Sequence, residues 1–210
     1  MSSSADLLLA LRKLNLLESR PKFWWPDVGT FKMVISAILT QNSRWESVER
    51  SLKNLEPFLE LDRFLELDIN SLASLIKPSG FYNQKANRLL KLARNIKEEF
   101  GEFEIFQKEV SREWLLNQKG IGFESADAIL CYGCFREVMV VDSYSARLLK
   151  RFGYEFEGYE ELQEWFMEGV IGSWDEIKDL YENNLNLCYA RYHGKVVEFM
   201  KSKKDGLVWE

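Results

Sequence analysis

Hydrophobic residues recur along the chain with the spacing of amphipathic α-helices. Near the start, an i, i+1, i+4, i+7 pattern is formed by Leu7, Leu8, Leu11 and Leu14. The segment 86–96 repeats the pattern, with basic residues between its apolar ones. Apolar positions at this spacing form one stripe on a helix, and that stripe packs into a core. The pattern therefore predicts a mostly α-helical chain.

Capping and stop residues mark several expected helix boundaries. The runs 43–46 (Ser-Arg-Trp-Glu) and 173–176 (Ser-Trp-Asp-Glu) match the capping box, in which the Ser and Glu side chains satisfy free amides of the first turn. Gly101 and Gly153 follow helical stretches as stop signals. Only residues 138–141 are strand-like, and one short strand cannot form a sheet. We expect an all-α fold.

Composition narrows the class of protein. The 210 residues can bury a sizeable core, and 46% hydrophobic with 29% charged residues is typical of globular proteins. No apolar run approaches the ~20 residues of a membrane helix, and the N-terminus does not resemble a signal peptide. We expect a cytoplasmic protein with no membrane partner. Three cysteines and the single histidine, His193, argue against a disulfide framework, an iron-sulfur cluster and a multi-histidine metal site.

Charge is unevenly distributed. The formal net charge of -5 disfavours an acidic partner such as nucleic acid. The segment from Lys77 to Lys97 nevertheless carries six basic residues and no acidic one. This run is either an ordinary solvated helix face or part of a surface for DNA.

The most specific segment is a hairpin around Gly120-Ile121-Gly122. One helix ends before these residues and another starts directly after them, with Ala126 at a core-facing position. Two glycines allow the backbone to approach a partner closely, and amides at a helix start bind phosphate. The segment resembles the helix-hairpin-helix element of DNA-binding proteins. It implies a DNA contact by Lys119, Gly120, Ile121, Gly122 and Ser125, whereas the alternative is an ordinary αα-hairpin.

A second motif follows the hairpin. The run Val140-Val141-Asp142, followed by a new helix, is similar to the signature of the endonuclease III superfamily of DNA glycosylases. This resemblance implies that Asp142 is the catalytic aspartate. It also implies that Gln41, in the run 38–42, fills the gap that a flipped base leaves in the duplex. The alternative for Asp142 is a plain helix N-cap, and both roles are compatible.

Two departures from endonuclease III change the expected chemistry. Bifunctional members carry a nucleophilic Lys where this chain has Glu124, and a carboxylate cannot form a Schiff base. We therefore expect no cleavage of the DNA strand. The endonuclease III pattern also ends with four cysteines, whereas only Cys188 stands after Leu185 here. We expect no iron-sulfur cluster and no other cofactor.

Tryptophans suggest the substrate. The runs Trp24-Trp25-Pro26, 39–42 and 78–85 resemble the type III 3-methyladenine DNA glycosylases. The resemblance implies a base pocket built from Trp24, Trp25, Pro26 and Trp45. Indole rings suit a flipped base that carries positive charge. The alternative for each Trp is core packing.

These features together predict two helical lobes with an active cleft between them. One lobe spans residues 30–139 and carries the hairpin, and the other combines 1–29 with 140–210. We expect a monofunctional DNA glycosylase that removes alkylated purines, above all 3-methyladenine, from double-stranded DNA in base excision repair, and that acts as a monomer. The alternatives are a glycosylase for another damaged or mismatched base and a helix-hairpin-helix module that only binds DNA.

The cysteine pair and one lysine each allow a purely structural interpretation beside a chemical one. Cys131 and Cys134 form a C-x-x-C pair, which is redox-active or metal-binding in some proteins, but without a second pair we favour small core residues. Lys195 lies between Gly194 and two valines, so we expect a buried, structural lysine with a depressed pKa. Such a lysine needs a carboxylate partner or a modification such as carbamylation; the alternative is an exposed lysine at a helix start.

Overall fold

The computed structural model describes residues 3–202, and within them the only regular elements are helices. Within these residues, no helix combines the length and the hydrophobicity that a membrane span requires. The all-α prediction is confirmed, and residues 138–142 have no regular structure. The α-helices are α1 (Ser4–Arg12), α2 (Phe31–Leu39), α3 (Trp45–Asn54), α4 (Leu61–Phe64), α5 (Ile69–Leu75), α6 (Tyr82–Phe100), α7 (Phe103–Glu109), α8 (Arg112–Leu116), α9 (Phe123–Ala128), α10 (Ser143–Lys150), α11 (Tyr159–Gly172), α12 (Trp174–Ile177) and α13 (Leu185–Ser202).

The chain divides into two compact units. One comprises Asp27–Phe135, and the other combines Met1–Pro26 with Arg136–Glu210. Residues 1, 2 and 203–210 of the expected terminal lobe lie outside the described part of the chain. The lobe boundaries drawn from the sequence, 30–139 and 1–29 plus 140–210, stay a prediction. Below, the first unit is called the central unit and the second the terminal unit.

Helix α2 lies at the centre of the central unit. Every residue of α2 except Lys32 is buried, and the helix packs against α3, α6 and α9. A helix that is apolar on nearly all sides belongs inside a fold. On α6, the predicted stripe is buried and Gly101 ends the helix with φ 74°. The stripe consists of Ala86, Leu89, Leu90, Ala93 and Ile96.

Lys85 corrects the expectation that the basic residues of α6 lie on its exposed faces. Its side chain is only 1% exposed. The ammonium donates hydrogen bonds to the Leu39 carbonyl (2.8 Å), the Ser43 hydroxyl (2.6 Å) and the Ser79 carbonyl (3.0 Å). Both carbonyls lie at the ends of helical segments, where they lack partners in the helix and favour a cation. Lys85 therefore holds together α2 and the turn at Ser79.

Both predicted capping boxes are wrong. Helix α3 is capped by Arg44 without a side-chain hydrogen bond, because the Ser43 hydroxyl accepts from Lys85 and donates to the Ser79 carbonyl instead. Ser173 precedes α12 and makes no side-chain cap bond either. A hydroxyl that contacts a distant segment is not available to the amides of its own helix.

Helices α8 and α9 form the hairpin of the central unit. A paired contact joins them, since the Arg112 guanidinium bonds both carboxylate oxygens of the buried Asp127, at 2.8 and 3.0 Å. Helix α9 continues into a π-helical turn at Ile129–Gly133. Cys131 lies within this turn and Cys134 directly after it, and both side chains are buried, as the core interpretation predicts.

The core of the terminal unit lies around α13. Helix α1 packs against α11 and α13, and α10 packs against α13. The predicted apolar residues Leu7, Leu8 and Leu11 are buried on α1. Tyr192 of α13 donates a hydrogen bond to the Ser4 carbonyl at 2.7 Å, which attaches the first helix to the last. This packing places the middle of α13 beside the N-terminus of α10.

Candidate functional site

Gln41 and the hairpin come together in the central unit. The Gln41 amide nitrogen donates to the Gly120 carbonyl at 3.0 Å and to the Ser125 hydroxyl at 2.9 Å. Its amide oxygen accepts a hydrogen bond from Arg88 at 3.0 Å. Three residues that the sequence analysis assigned to DNA binding from separate motifs therefore form one cluster.

The hairpin turn requires glycine at position 120. Gly120 has a φ of 84°, a conformation that side chains rarely adopt, and a Cβ there would lie 2.3 Å from Arg88 Nε. Ile121 is 7% exposed and anchors the turn in the core. Lys119, Gly120, Gly122 and Glu124 are exposed around it. The turn therefore exposes its backbone and the Lys119 side chain, while the buried Ile121 holds it in place.

Asp142 lies in the terminal unit, where it caps α10. Its Oδ1 atom accepts hydrogen bonds from the amides of Tyr144 and Ser145, both at 2.9 Å, and from the Ser145 hydroxyl at 3.1 Å. The other oxygen, Oδ2, takes no part in the cap and lies 3.6 Å from His193 Nε2. The side chain is 12% exposed. Capping thus occupies one oxygen and leaves the other available for chemistry.

The carboxyl group of Asp142 is ionised near neutral pH. Burial by itself would raise the pKa of Asp142, but the nearby His193 and the hydrogen bonds from Ser145 outweigh burial and lower the pKa below its ordinary value. The distance of 3.6 Å between His193 Nε2 and Asp142 Oδ2 is longer than that of an ordinary hydrogen bond. A partly buried carboxylate in this state can act as a base or stabilise positive charge, but it is a poor proton donor.

Trp24 joins the same cluster through His193. The two rings meet edge to face, with centroids 5.1 Å apart, and Trp24 contacts Trp25 in the same way at 5.9 Å. Trp24 Nε1 donates to Glu198 at 3.0 Å. A Cβ at Gly194 would lie 2.4 Å from Trp24 Cγ. The indole therefore rests directly on the backbone of α13.

The four predicted pocket residues come from both units. Trp24, Trp25 and Pro26 end the first stretch of the terminal unit and are partly exposed. Trp45 is the first residue of α3 in the central unit and is also partly exposed. Partial exposure is compatible with a binding surface and argues against plain core packing of these side chains.

His193, Arg88 and Lys85 are contacts that the sequence analysis missed. The signal for His193 is that a lone histidine stands between Tyr192 and Gly194 in a helical segment with many apolar residues. Arg88 and Lys85 belong to the basic run 77–97, and nothing in that run distinguishes them from its other basic residues. Among the described residues, no group of three or more His, Cys, Asp or Glu side chains could hold a metal ion.

Lys195 is buried in the middle of α13, as predicted, with 4% of its surface exposed. Its ammonium lies 5.4 Å from the centre of the Tyr181 ring. Burial, with the nearby charges of Arg191 and Arg12, lowers the pKa of Lys195 to about 7. A carboxylate partner, one of the two expected outcomes, is not found within residues 3–202. The structural role of Lys195 and its modification stay predictions.

Known proteins share this fold and sequence. The 3-methyladenine DNA glycosylase MagIII of H. pylori, crystallised with 1,N6-ethenoadenine, superposes with a TM-score of 0.93 and 48% identity, covering 97% of this chain and 100% of that one. A protein of Methanocaldococcus jannaschii described as a candidate DNA repair glycosylase is 38% identical over 188 residues, 85% of this chain and 80% of its own length. Endonuclease III of Thermotoga maritima is 31% identical over 129 residues, 61% of this chain and 59% of that protein.

The family match covers most of the chain. The profile of the HhH-GPD superfamily of base excision DNA repair proteins matches residues 35–170, which include Gln41, the hairpin and Asp142. The resemblance to endonuclease III and to 3-methyladenine DNA glycosylases is confirmed. The chain belongs to the HhH-GPD superfamily and is a DNA glycosylase of that family.

Proposed function

We propose that this protein is a monofunctional DNA glycosylase that removes alkylated purines, above all 3-methyladenine, from double-stranded DNA. The observation that carries the proposal is the cluster of Asp142, His193 and Trp24, in which an ionised carboxylate lies beside a partly exposed indole. The 48% identity to a 3-methyladenine DNA glycosylase supports the choice of substrate.

The chemistry asks little of the protein as an acid. A purine methylated at N3 carries positive charge in its ring, so the base leaves without strong protonation. Asp142 is ionised, and Oδ1 is fixed by two amides while Oδ2 is free of the cap. In our proposal Oδ2 acts on the sugar, where it either orients and deprotonates a water molecule or stabilises the developing oxocarbenium charge.

Selection of the base is assigned to the tryptophans. In our proposal, a flipped cationic base gains π contact with Trp24, Trp25 and Trp45, with Pro26 beside them. The Trp24 indole lies directly against the backbone of α13 at Gly194. It therefore has no room to move towards α13 when a base binds. Because the Trp24 indole cannot move back, the proposed pocket excludes bases with bulkier substituents.

DNA is held, in this proposal, by the hairpin and Gln41. The backbone amides of residues 120–125 and the exposed Lys119 contact phosphates, while Gln41 fills the vacated position in the stack. Glu124 stands on the exposed hairpin where a lyase would carry its nucleophilic lysine. The expected product is therefore an intact strand with an abasic site, formed by a monomer without a cofactor.

Base release from alkylated DNA tests the proposal. We expect the purified protein to release 3-methyladenine from duplex DNA treated with a methylating agent, measured by chromatography of the free bases. Duplex oligonucleotides with 1,N6-ethenoadenine or a G·T mismatch provide the comparison, since the H. pylori relative was crystallised with the former. Release of no base at all would leave only a DNA-binding module. Release of mismatched thymine alone would favour the alternative of a glycosylase for mismatched bases.

A second measurement tests the monofunctional part. Borohydride traps the Schiff base of a lyase as a covalent protein–DNA adduct, and strand scission appears on a denaturing gel. We expect neither. A trapped adduct would assign a nucleophilic amine to this protein, with Lys119 as the first residue to replace.

A further inference from the structure

Arg88 makes contacts that a simple phosphate-binding residue does not need. One guanidinium nitrogen donates to the Gln41 amide oxygen at 3.0 Å. The rest of the side chain lies against the hairpin turn, because a Cβ at Gly120 would be 2.3 Å from Arg88 Nε and 2.5 Å from Cδ. The Arg88 side chain therefore extends from α6 to contact both Gln41 and the hairpin turn, which the proposed function assigns to phosphate binding.

These contacts determine the orientation of the Gln41 amide. A guanidinium has donors and no acceptors, so the amide must face Arg88 with its oxygen. The amide nitrogen then points to the Gly120 carbonyl and the Ser125 hydroxyl, which both accept from it. Each polar atom of the Gln41 side chain is thus engaged, and a flip of the amide would set its nitrogen against the Arg88 donor and its oxygen against the Gly120 carbonyl.

We propose that Arg88 is a positioning residue that holds Gln41 against the hairpin, so that Gln41 is ordered before a damaged duplex is bound. The inference rests on the proposed function of Gln41 as the residue that fills the vacated stack. A long side chain that is already ordered loses less rotamer freedom when it enters a gap. Arg88 then strengthens recognition of a gapped duplex without adding to the binding of intact DNA.

Arg94 provides a matched control on the same helix. It is an exposed arginine of α6 and takes part in no hydrogen bond or ion pair within the described residues. If basic residues of α6 act only through phosphates, Arg88 and Arg94 have the same kind of effect. A phosphate contact weakens binding to all DNA and lowers its salt dependence.

The experiment measures binding to two labelled duplexes, one intact and one with a tetrahydrofuran abasic site, at several salt concentrations. Arg88→Met keeps the side-chain stem over Gly120 and removes the donor. We expect it to reduce the preference for the abasic duplex about tenfold, the effect of one charge-assisted hydrogen bond, with binding to intact duplex nearly unchanged. Arg94→Met is expected to leave the preference unchanged. Arg88→Lys, which restores a donor, is expected to recover part of it.

A double-mutant cycle with Gln41→Ala completes the test. If Arg88 acts through Gln41, the double variant has the same preference as Gln41→Ala alone. Additive losses, equal weakening on both duplexes or an unchanged preference in Arg88→Met would overturn the inference. Thermal unfolding of Arg88→Met verifies that the variant is folded. Because binding is measured without base release, this result is independent of whether the wild-type protein excises 3-methyladenine.

Discussion

Lys85 in the central unit and Lys195 in the terminal unit are both buried, yet their surroundings differ. Three oxygen atoms accept hydrogen bonds from Lys85, two of them backbone carbonyls. Lys195 lies over the Tyr181 ring, and the charged groups that act on it include Arg191 and Arg12. Burial lowers the pKa of Lys85 to about 8 and that of Lys195 to about 7.

The same contrast separates the two regions that carry the proposed site. Around Gln41, Arg88 and the hairpin satisfy the Gln41 amide, and nearby Lys85 satisfies the carbonyls of Leu39 and Ser79. Around Asp142, one carboxylate oxygen takes no part in the helix cap and faces His193 at 3.6 Å. Saturated polar networks give rigidity, whereas partly buried groups with a perturbed pKa are typical of reactive sites. We therefore expect substitutions in the first region to affect stability or binding and those around Asp142 to affect the reaction.

Asp142→Asn gives the largest expected effect. The amide keeps an oxygen for the cap of α10 but loses the negative charge at the sugar. We expect base release to fall about 100-fold or more, as for a positioned acid or base, with DNA binding retained. Single-turnover release and a binding titration measure the two quantities. Asp175→Asn, at an exposed aspartate, is the control. More than about a tenth of wild-type activity would remove Asp142 from catalysis.

Lys85→Met tests the saturated region. The substitution leaves the buried Leu39 carbonyl without its donor and removes one of the two donors to the Ser79 carbonyl, which costs about 3 kcal/mol of unfolding free energy. For a chain of this size the melting temperature then falls by roughly 6–12 °C. Lys91→Met, on an exposed position of α6, is the matched control and is expected to melt like the wild type. Equal melting of Lys85→Met and wild type would contradict a structural role for Lys85.

Trp45→Ala separates binding from packing within the central unit. Trp45 is a partly exposed residue at the start of α3. We expect the variant to release 3-methyladenine about tenfold more slowly or worse, because stacking on one aromatic ring is worth ~1–3 kcal/mol per base. The melting temperature should change little, whereas truncation of a core Trp costs ~3–5 kcal/mol. Unfolding in parallel with the loss of activity would favour core packing.

Lys195→Met has the smallest expected effect, and its size depends on pH. The pKa of Lys195 in the folded protein, about 7, lies below its unfolded value, so the unfolded chain binds more protons between pH 7 and 10. Wild-type stability therefore rises with pH across this range relative to the Met variant. The penalty of the buried charge is largest below pH 7.

Chemical denaturation at pH 6.5 and pH 9 measures this difference. We expect the Met variant to be the more stable protein at pH 6.5, and the gap to shrink by about 1–2 kcal/mol at pH 9. Lys85 titrates in both proteins and cancels in the comparison. A gap that does not change with pH would mean that Lys195 is not a buried charge, and a less stable Met variant at pH 6.5 would assign the ammonium a stabilising contact.

Local patterns in the sequence predict the elements well. The apolar stripes of α1 and α6, the glycine turn at Gly120 and the cap at Asp142 each depend on residues within a few positions of one another. Their physics is that of a helix or a turn, which a short window of sequence contains. The family resemblance added the expected roles of Gln41 and Asp142.

Contacts between distant segments were not predictable in the same way. The burial of Lys85 depends on two helical ends that converge from outside α6, and this convergence also takes Ser43 away from its predicted cap. The contact of His193 with Asp142 depends on the packing of α13 against α10. Leu39 and Ser43 lie far from Lys85 along the chain, as Asp142 does from His193, so no short window of sequence contains these pairs.

Gly194 has an evolutionary consequence. The Trp24 ring occupies the space that the Cβ atom of any other residue at position 194 would need. The shape of the proposed base pocket therefore depends on the lack of a side chain at this position. A change from glycine to alanine in the corresponding gene would displace the indole from the rear. Substrate range can therefore diverge among descendants of this protein through one codon, with every residue that faces the DNA left as it is.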